Sequence, residues 1–332
     1  MTSLWAESSR GYSHRPADIT YEGICLKFDA QVIAAYGRHL LVRDAEGSRH
    51  EARPFGRKLL AVCGDRVRCE RDAQHEETHV VEILPRDHVL LRANLKGGAE
   101  PIVANLTQLL TLLAPEPRPD PFIIDRYLCA ASSAGLRAIV VLNKADQMND
   151  ASRVSLSALL SVYQAAGYDT LVCSATTGEG LKELAEKLTG EISVLVGQSG
   201  VGKSSVVAQL TAQESIAVGA LDRDAEGRHT TTASQLYDLP AGGALIDSPG
   251  VRDFAPAIDA LEPRSLGFPE IDQASVHCRF IDCQHLKEPH CGVRAALEEG
   301  RIDERRYESY RRLRRLFVDL TAARGPTGRS RS

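Results

Sequence analysis

Eight consecutive residues restrict this chain more than any other feature: Gly197-Gln198-Ser199-Gly200-Val201-Gly202-Lys203-Ser204 matches G-x-x-x-x-G-K-[ST] at every position. Such a loop works only between a buried strand and a helix, with glycines letting backbone N–H groups turn inward around phosphates. The apolar run Ile192–Val196 precedes it and a helical stretch through Ser205–Leu210 follows, so both conditions are met. The helix N-terminus adds positive potential. Lys203 is placed to reach the β and γ phosphates and Ser204 to ligate Mg²⁺, with Ser205 completing the expected phosphate contacts.

The surrounding segment alternates apolar strand-like runs with amphipathic helical stretches. Gln108–Ala114, Ala138–Leu142, Thr170–Cys173 and Ala244–Ile246 join Ile192–Val196 as expected strands. That pattern predicts βαβ units and a mainly parallel sheet, with ligands held at the strand C-terminal ends. Asn143-Lys144-Ala145-Asp146 stands at one such end. A carboxylate at Asp146 accepts from guanine N1–H and the exocyclic amine; adenine has neither donor there, and the carboxylate would be left unpaired. Asn143 is expected to brace the loop and Lys144 to cover the ring plane. Ser174-Ala175-Thr176, after Thr170–Cys173, is the expected supporting base loop, through its backbone N–H groups.

The order is unusual. Base-reading loops precede the phosphate loop, which precedes the metal and switch segments, a circular permutation of the ordinary GTPase order. Asp247 in Asp247-Ser248-Pro249-Gly250 fits the acidic residue that holds Mg²⁺, usually through water, and Gly250 the γ-phosphate-sensing N–H. Within Gly227-Arg228-His229-Thr230-Thr231-Thr232, one threonine is expected to ligate Mg²⁺; Thr231 is favoured over Thr230. Val251 stands where many GTPases carry a glutamine that orients the attacking water, and His229 is the nearest substitute.

The flanks differ. From Thr20 to Arg92, the short strand candidates Tyr21–Phe28, His39–Arg43, Asp65–Glu70 and His79–Leu84 alternate with turns, which fits an OB-fold barrel or a generic β-domain. Near the C-terminus, Cys278, Cys283, His285 and Cys291 fall within fourteen residues, a donor set for tetrahedral Zn²⁺ in a structural site. His277 and His290 are rival ligands. Asp303 is expected to cap a last helix, with Ile302 stapling onto Tyr307. Its apolar face is Tyr307, Tyr310, Leu313, Phe317 and Leu320, with Arg305, Arg306, Arg311, Arg312, Arg314 and Arg315 on the remainder.

Composition sets limits on function. The 332 residues are 43% hydrophobic with a formal net charge of −4, so a nucleic-acid role must rest on local charge. Residues 301–332 supply it, with ten Arg against four Asp and Glu. No apolar run is long enough for a signal peptide or a membrane span, so a cytoplasmic, reducing setting and no membrane partner are expected. There, a cluster among the eight cysteines suggests metal rather than disulfides.

Together these motifs resemble the RsgA (YjeQ) family of small-subunit-dependent GTPases. Especially specific are Gly227–Thr232, Asp247–Gly250, Phe268-Pro269-Glu270, the Cys278–Cys291 pattern with Glu288-Pro289, Arg306-Tyr307-x-x-Tyr310 and Asp125-Arg126-Tyr127-Leu128. The resemblance implies an N-terminal OB-fold, a central permuted GTPase and a C-terminal zinc-binding helical domain; the residue patterns put them over 19–93, 94–262 and 263–324, between polar tails expected to be disordered at 1–18 and 325–332. It implies a monomer with one structural Zn²⁺ and Mg²⁺ with GTP, which hydrolyses GTP to GDP on the small ribosomal subunit and its rRNA. It also implies that His229 positions the water. Thr107 departs from the family's frequent Asp. Two competing readings are a GTPase switch without ribosomal role and an RNA-binding protein that uses nucleotide structurally.

Overall fold

The structure, a computed structural model, describes residues 25–72, 77–93, 98–211, 234–248, 257–258 and 261–323. Both expected tails lie outside these residues, as do His229, Thr230, Thr231, Gly250 and Val251.

Five strands close the N-terminal barrel: β1 (Cys25–Tyr36), β2 (His39–Asp44), β3 (Arg49–Pro54), β4 (Arg66–Asp72) and β5 (Thr78–Ile83). Their order is β1-β2-β3-β5-β4, and β1 also pairs with β4. Alternation sends Val32, Val42, Val67, Cys69 and Val80 inward, each fully buried. The strand β3 has no counterpart among the sequence-based expectations. Arg49-His50-Glu51-Ala52-Arg53-Pro54 contains no β-branched residue, and closure onto β2 and β5 supplies the order that propensity does not.

A hairpin of β6 (Val89–Ala93) and β7 (Ala99–Ala104) follows, and the expected boundary at 93/94 falls between its strands. Leu90, Ile102 and Val103 seat it on the core of the next domain. There, β8 (Gln108–Leu113), β9 (Arg137–Leu142), β10 (Asp169–Val172), β11 (Ile192–Val196), β12 (Ser234–Asp238) and β13 (Ala244–Asp247) line up as β10-β9-β8-β11-β13-β12. All neighbours are parallel except β12, which is antiparallel to β13. The helices α1 (Pro121–Ser133), α2 (Asp150–Ala165), α3 (Leu181–Leu188) and α4 (Lys203–Leu210) connect them. Thr107 clamps the start of β11: its Oγ1 accepts from Ile192 N–H at 2.9 Å. A hydroxyl can thus fill an acceptor role at this position. On its outer edge β12 pairs with β1, so the barrel and the nucleotide-binding sheet are one continuous eleven-stranded sheet.

The C-terminal lobe holds α5 (Pro269–Ser275), α6 (Gly292–Glu298) and α7 (Glu304–Ala323). Asp303 Oδ1 accepts from Arg306 N–H at 3.0 Å, the expected cap, and Ile302 and Tyr307 share a core with Tyr310 and Leu313. The arginines divide differently from the sequence reading. Arg306 is fully buried and Arg314 9% exposed, with Arg314 donating to the Pro263 carbonyl. Arg306 donates to Asp125 at 2.6 Å and to Glu270 at 2.7 and 3.0 Å, which ties α7 to α1 and α5. Carboxylates waiting on other elements draw it inside, and neither residue belongs to a solvent-facing basic surface. Among the described residues no helix is long and apolar enough to cross a membrane.

Candidate nucleotide site and metal centre

Each signature loop leaves the C-terminal end of a parallel strand. Gly197 follows β11, Asn143 follows β9, Ser174 lies two residues beyond β10, and Asp247 ends β13. Two glycines of the phosphate loop are required by close approach. Gly197 has φ +142°, and a Cβ there would lie 2.4 Å from the Leu112 carbonyl oxygen. Gly202 has φ +93°, and its Cβ would lie 2.4 Å from Asn143 Nδ2. Lys203 opens α4 and is nearly buried; its Nζ donates to the Gly197 and Gln198 carbonyls at 2.6 and 2.8 Å, folded over the loop it serves. Lys144, Ser199, Gly200, Gly202, Lys203, Ser204 and Ser205 line the resulting cleft.

Asn143, 1% exposed, joins three loops. Its Nδ2 donates to the Val201 carbonyl in the phosphate loop at 3.0 Å, and its Oδ1 accepts from Ala175 N–H at 3.1 Å. Lys144 takes a left-handed conformation, φ 60°, and its Nζ donates to the Gly200 carbonyl at 2.6 Å and to that of Glu116 at 3.2 Å. The stem therefore lies across the cleft mouth. The Ser174 hydroxyl donates to Asp146 Oδ1 and accepts from the N–H groups of Thr176 and Thr177 at 3.2 and 3.1 Å. That bond aims the carboxylate, a service the motif spacing did not reveal. Ala175 N–H donates to Asn143 and Thr176 N–H to the Ser174 hydroxyl, so the Ser174-Ala175-Thr176 loop is held by the side chains around it.

The second cluster sits in the C-terminal lobe. Ligand atoms of Cys278, Cys283, His285 and Cys291 all lie within 4.8 Å of one another. The His285 Nδ1 is 3.4 Å from Cys278 Sγ and 3.5 Å from Cys291 Sγ, and those two sulfurs are 3.9 Å apart. A tetrahedral site with metal–sulfur bonds of about 2.3 Å and metal–nitrogen bonds of about 2.0 Å sets sulfur–sulfur edges of about 3.8 Å and sulfur–nitrogen edges of about 3.5 Å. The donor set and its spacing therefore fit a metal ion. Burial, with Arg264 nearby, lowers the His285 pKa to about 4, so the ring is neutral and available as a ligand at physiological pH. The rivals His277 and His290 are exposed and outside the cluster. Glu288 shapes the turn: its carboxylate accepts from the N–H groups of Gln284, Leu286 and Lys287 at 2.9–3.0 Å. Burial alone would raise its pKa, but these backbone donors outweigh it and hold Glu288 at about 2.

A family model described as RsgA GTPase matches residues 83–256. The chain belongs to the RsgA GTPase family. It is 43% identical over 285 residues to the small ribosomal subunit biogenesis GTPase RsgA of Pseudomonas fluorescens, covering 84% of this chain and 83% of that one. The RsgA of the same name from Azotobacter vinelandii is 44% identical over 253 residues, 76% of this chain and 74% of the relative. Among solved structures, YjeQ from Thermotoga maritima superposes with a TM-score of 0.67 at 28% identity, covering 89% of this chain and 99% of that one. The circularly permuted GTPase YloQ gives a TM-score of 0.67 over 93% of this chain and 99% of its own, at 23% identity, a likeness of fold. As an RsgA-family GTPase the chain hydrolyses GTP, and in its own sequence the motifs run in permuted order.

The structure gathers Asn143, Lys144, Asp146, Ser174, Ala175 and Gly197–Ser205 around one cleft. Asp247 stands at the end of β13, two strands from β8 across β11. The remaining candidates, His229, Thr231 and Gly250, fall outside the described residues. Ser248 and Glu288 are the residues that the chemistry-led reading left without a role. Ser248 is fully buried beside Asp247, and Glu288 pins the turn after Cys283.

Proposed function

We propose that this RsgA-family enzyme hydrolyses GTP as a late assembly or checkpoint factor on the small ribosomal subunit, stimulated by that subunit and coupled to release from it. The observation that carries the nucleotide part is Asn143, whose amide locks the base-reading loop to both the phosphate loop and the Ser174-Ala175 loop. Support for the ribosomal part comes from relatives that share over 40% identity and carry that function in their names.

In this reading the backbone N–H groups of Gly197–Ser205 hold the phosphates, Lys203 turns from the loop carbonyls to the β and γ phosphates, and Asp146 selects guanine. The hard oxygens of Ser204, Thr231 and Asp247 would hold Mg²⁺, which would supply positive charge against the phosphates. Gly250 senses the γ-phosphate and His229 orients the water, in place of the glutamine that Val251 replaces. The Cys278–Cys283–His285–Cys291 site holds one structural Zn²⁺, whose preference for thiolate and imidazole matches the donors. The monomer acts in the cytoplasm and contacts rRNA through the barrel and the exposed arginines of α7. GTP favours subunit binding and GDP favours release, which requires different affinities in the two states.

Steady-state GTP hydrolysis with and without small subunits, against large subunits and ATP as controls, tests this. Strong stimulation by small subunits alone is expected. GTP-specific turnover indifferent to either subunit would leave a GTPase without the ribosomal role.

A further inference from the structure

One rung of backbone pairing crosses from the barrel to the end of the metal-loop strand. Ala34 of β1 lies opposite Gln235 of β12, and Gln235 lies opposite Asp247 of β13. In the next row Ala35 pairs with Ser234, and the Ser234 hydroxyl is 2.6 Å from the hydroxyl of Ser248. Ser248 is fully buried and follows Asp247 directly. On the opposite side the parallel ladder of β13 with β11 runs through Ile246, opposite Val194. Asp247 therefore extends past its ladder on the phosphate-loop side, while the β12 side carries both the last rung and the hydroxyl bond.

The strand β12 is five residues long and is held to the barrel at both ends. Ala34 and Ala35 pair with its first residues, and Arg43 of β2 makes a two-pronged ion pair with Asp238 at its last. The β1–β2 register shifts between Val32 and Ala34, immediately before the residues that reach β12. Such an irregularity bends a strand and re-aims its edge, which fits β1 leaving the barrel to join the second domain.

We propose that Ser234 and Gln235 are positioning residues for the Asp247 carboxylate, backed by barrel strand β1, so that the barrel and the metal loop are mechanically one unit. The proposal rests on the assignment of Asp247 to Mg²⁺. An antiparallel rung fixes the separation of the residues it joins, and a carboxylate ligand tolerates little displacement before it loses its geometry. Removing the Ser234 hydroxyl leaves that of Ser248 buried without this bond, so the chain after Asp247 loses its anchor. Whatever binds the barrel then acts on the metal loop through β1 and β12, with no contact to nucleotide.

The test is the dissociation rate of a fluorescent GDP analogue from the full-length protein, titrated with Mg²⁺ and repeated in EDTA. Ser234→Ala is expected to raise the half-saturating Mg²⁺ about three- to tenfold, the worth of one hydrogen bond. Ser234→Thr should restore it, since the hydroxyl returns. Arg43→Ala, on the barrel, should shift it in the same direction. Analogue binding in EDTA should match wild type in all three, because the phosphate and base loops are untouched. Asp247→Asn separates the two levels of the argument. If it keeps the wild-type Mg²⁺ dependence, the assignment of Asp247 falls and the inference with it. If Asp247→Asn loses that dependence while Ser234→Ala keeps it, the inference alone is overturned. Should Ser234→Ala also lose binding in EDTA, Arg43→Ala decides: a wild-type Mg²⁺ curve there overturns the proposal.

Discussion

Replacing Arg306 with methionine tests whether the C-terminal lobe is docked by a buried charge cluster. Arg306 is fully buried, bonds Asp125 and Glu270, and lies 4.5 Å from the Phe268 ring centroid. Burial opposes its charge, but the two carboxylates outweigh that and hold its pKa well above the ordinary value. Removing one partner from a buried ion pair costs about 3–5 kcal/mol. Two features reduce this. Asp125 keeps Arg305, whose Nη1 donates to it at 2.9 Å, and methionine retains apolar contact with Phe268, Tyr163 and Tyr168. The expected loss is about 3 kcal/mol, or roughly a hundredfold or more in the local opening equilibrium. Amide hydrogen exchange, read by mass spectrometry on peptides from α5 and α7, measures this opening directly. Peptides from β10 and α3 should stay protected. Arg305→Met, at a side chain 29% exposed, should cost about 1 kcal/mol or less. A loss below about 1 kcal/mol for Arg306→Met, or a larger one for Arg305→Met, would mean that the buried charge cluster does not dock the lobe.

Asp146→Asn converts an acceptor pair into an acceptor and a donor, so GTP affinity should fall by about a hundredfold while xanthosine triphosphate gains; an unchanged preference in competition binding would remove Asp146 from base recognition. Gly202→Ala places a Cβ 2.4 Å from Asn143 Nδ2 at φ +93° and should abolish GDP binding in calorimetry, whereas tight binding would mean that the Asn143 bridge is dispensable. Metal analysis should find one equivalent of zinc per chain; chelation, or Cys283→Ser, should strip amide protection from residues 276–313 while guanine-nucleotide binding persists. Arg312→Glu, at a side chain 57% exposed, should weaken RNA binding with little change in melting temperature; Arg314→Glu, which buries an acid beside the Pro263 carbonyl, should lower that temperature by several degrees.

Much of the chemistry was legible in the chain because its signals are local. A glycine at positive φ, a strand before the loop and a helix after it all lie within a dozen residues, so Gly197–Ser204 carries its own structural context. The same holds for Asn143–Asp146 and for the four metal-ligand candidates, all within fourteen residues. The strand pattern of 108–114, 138–142 and 192–196 also survives, since fully buried strands are apolar on both faces.

The exceptions depend on groups far away in the chain. Strand β3 forms because β2 and β5 close around it, against its own propensity. Arg306 reads as one more arginine on a basic helix until Asp125, 181 residues earlier, is placed beside it. Asn143 reaches Val201 across 58 residues and becomes a brace for three loops. Sequence alone thus placed the nucleotide motifs and the four residues that could hold a metal, because backbone conformation and donor type are written within short segments. Tertiary structure alone decided which polar groups are buried and how the barrel meets Asp247, because hydrogen-bond partners across strands exist only once the chain has folded.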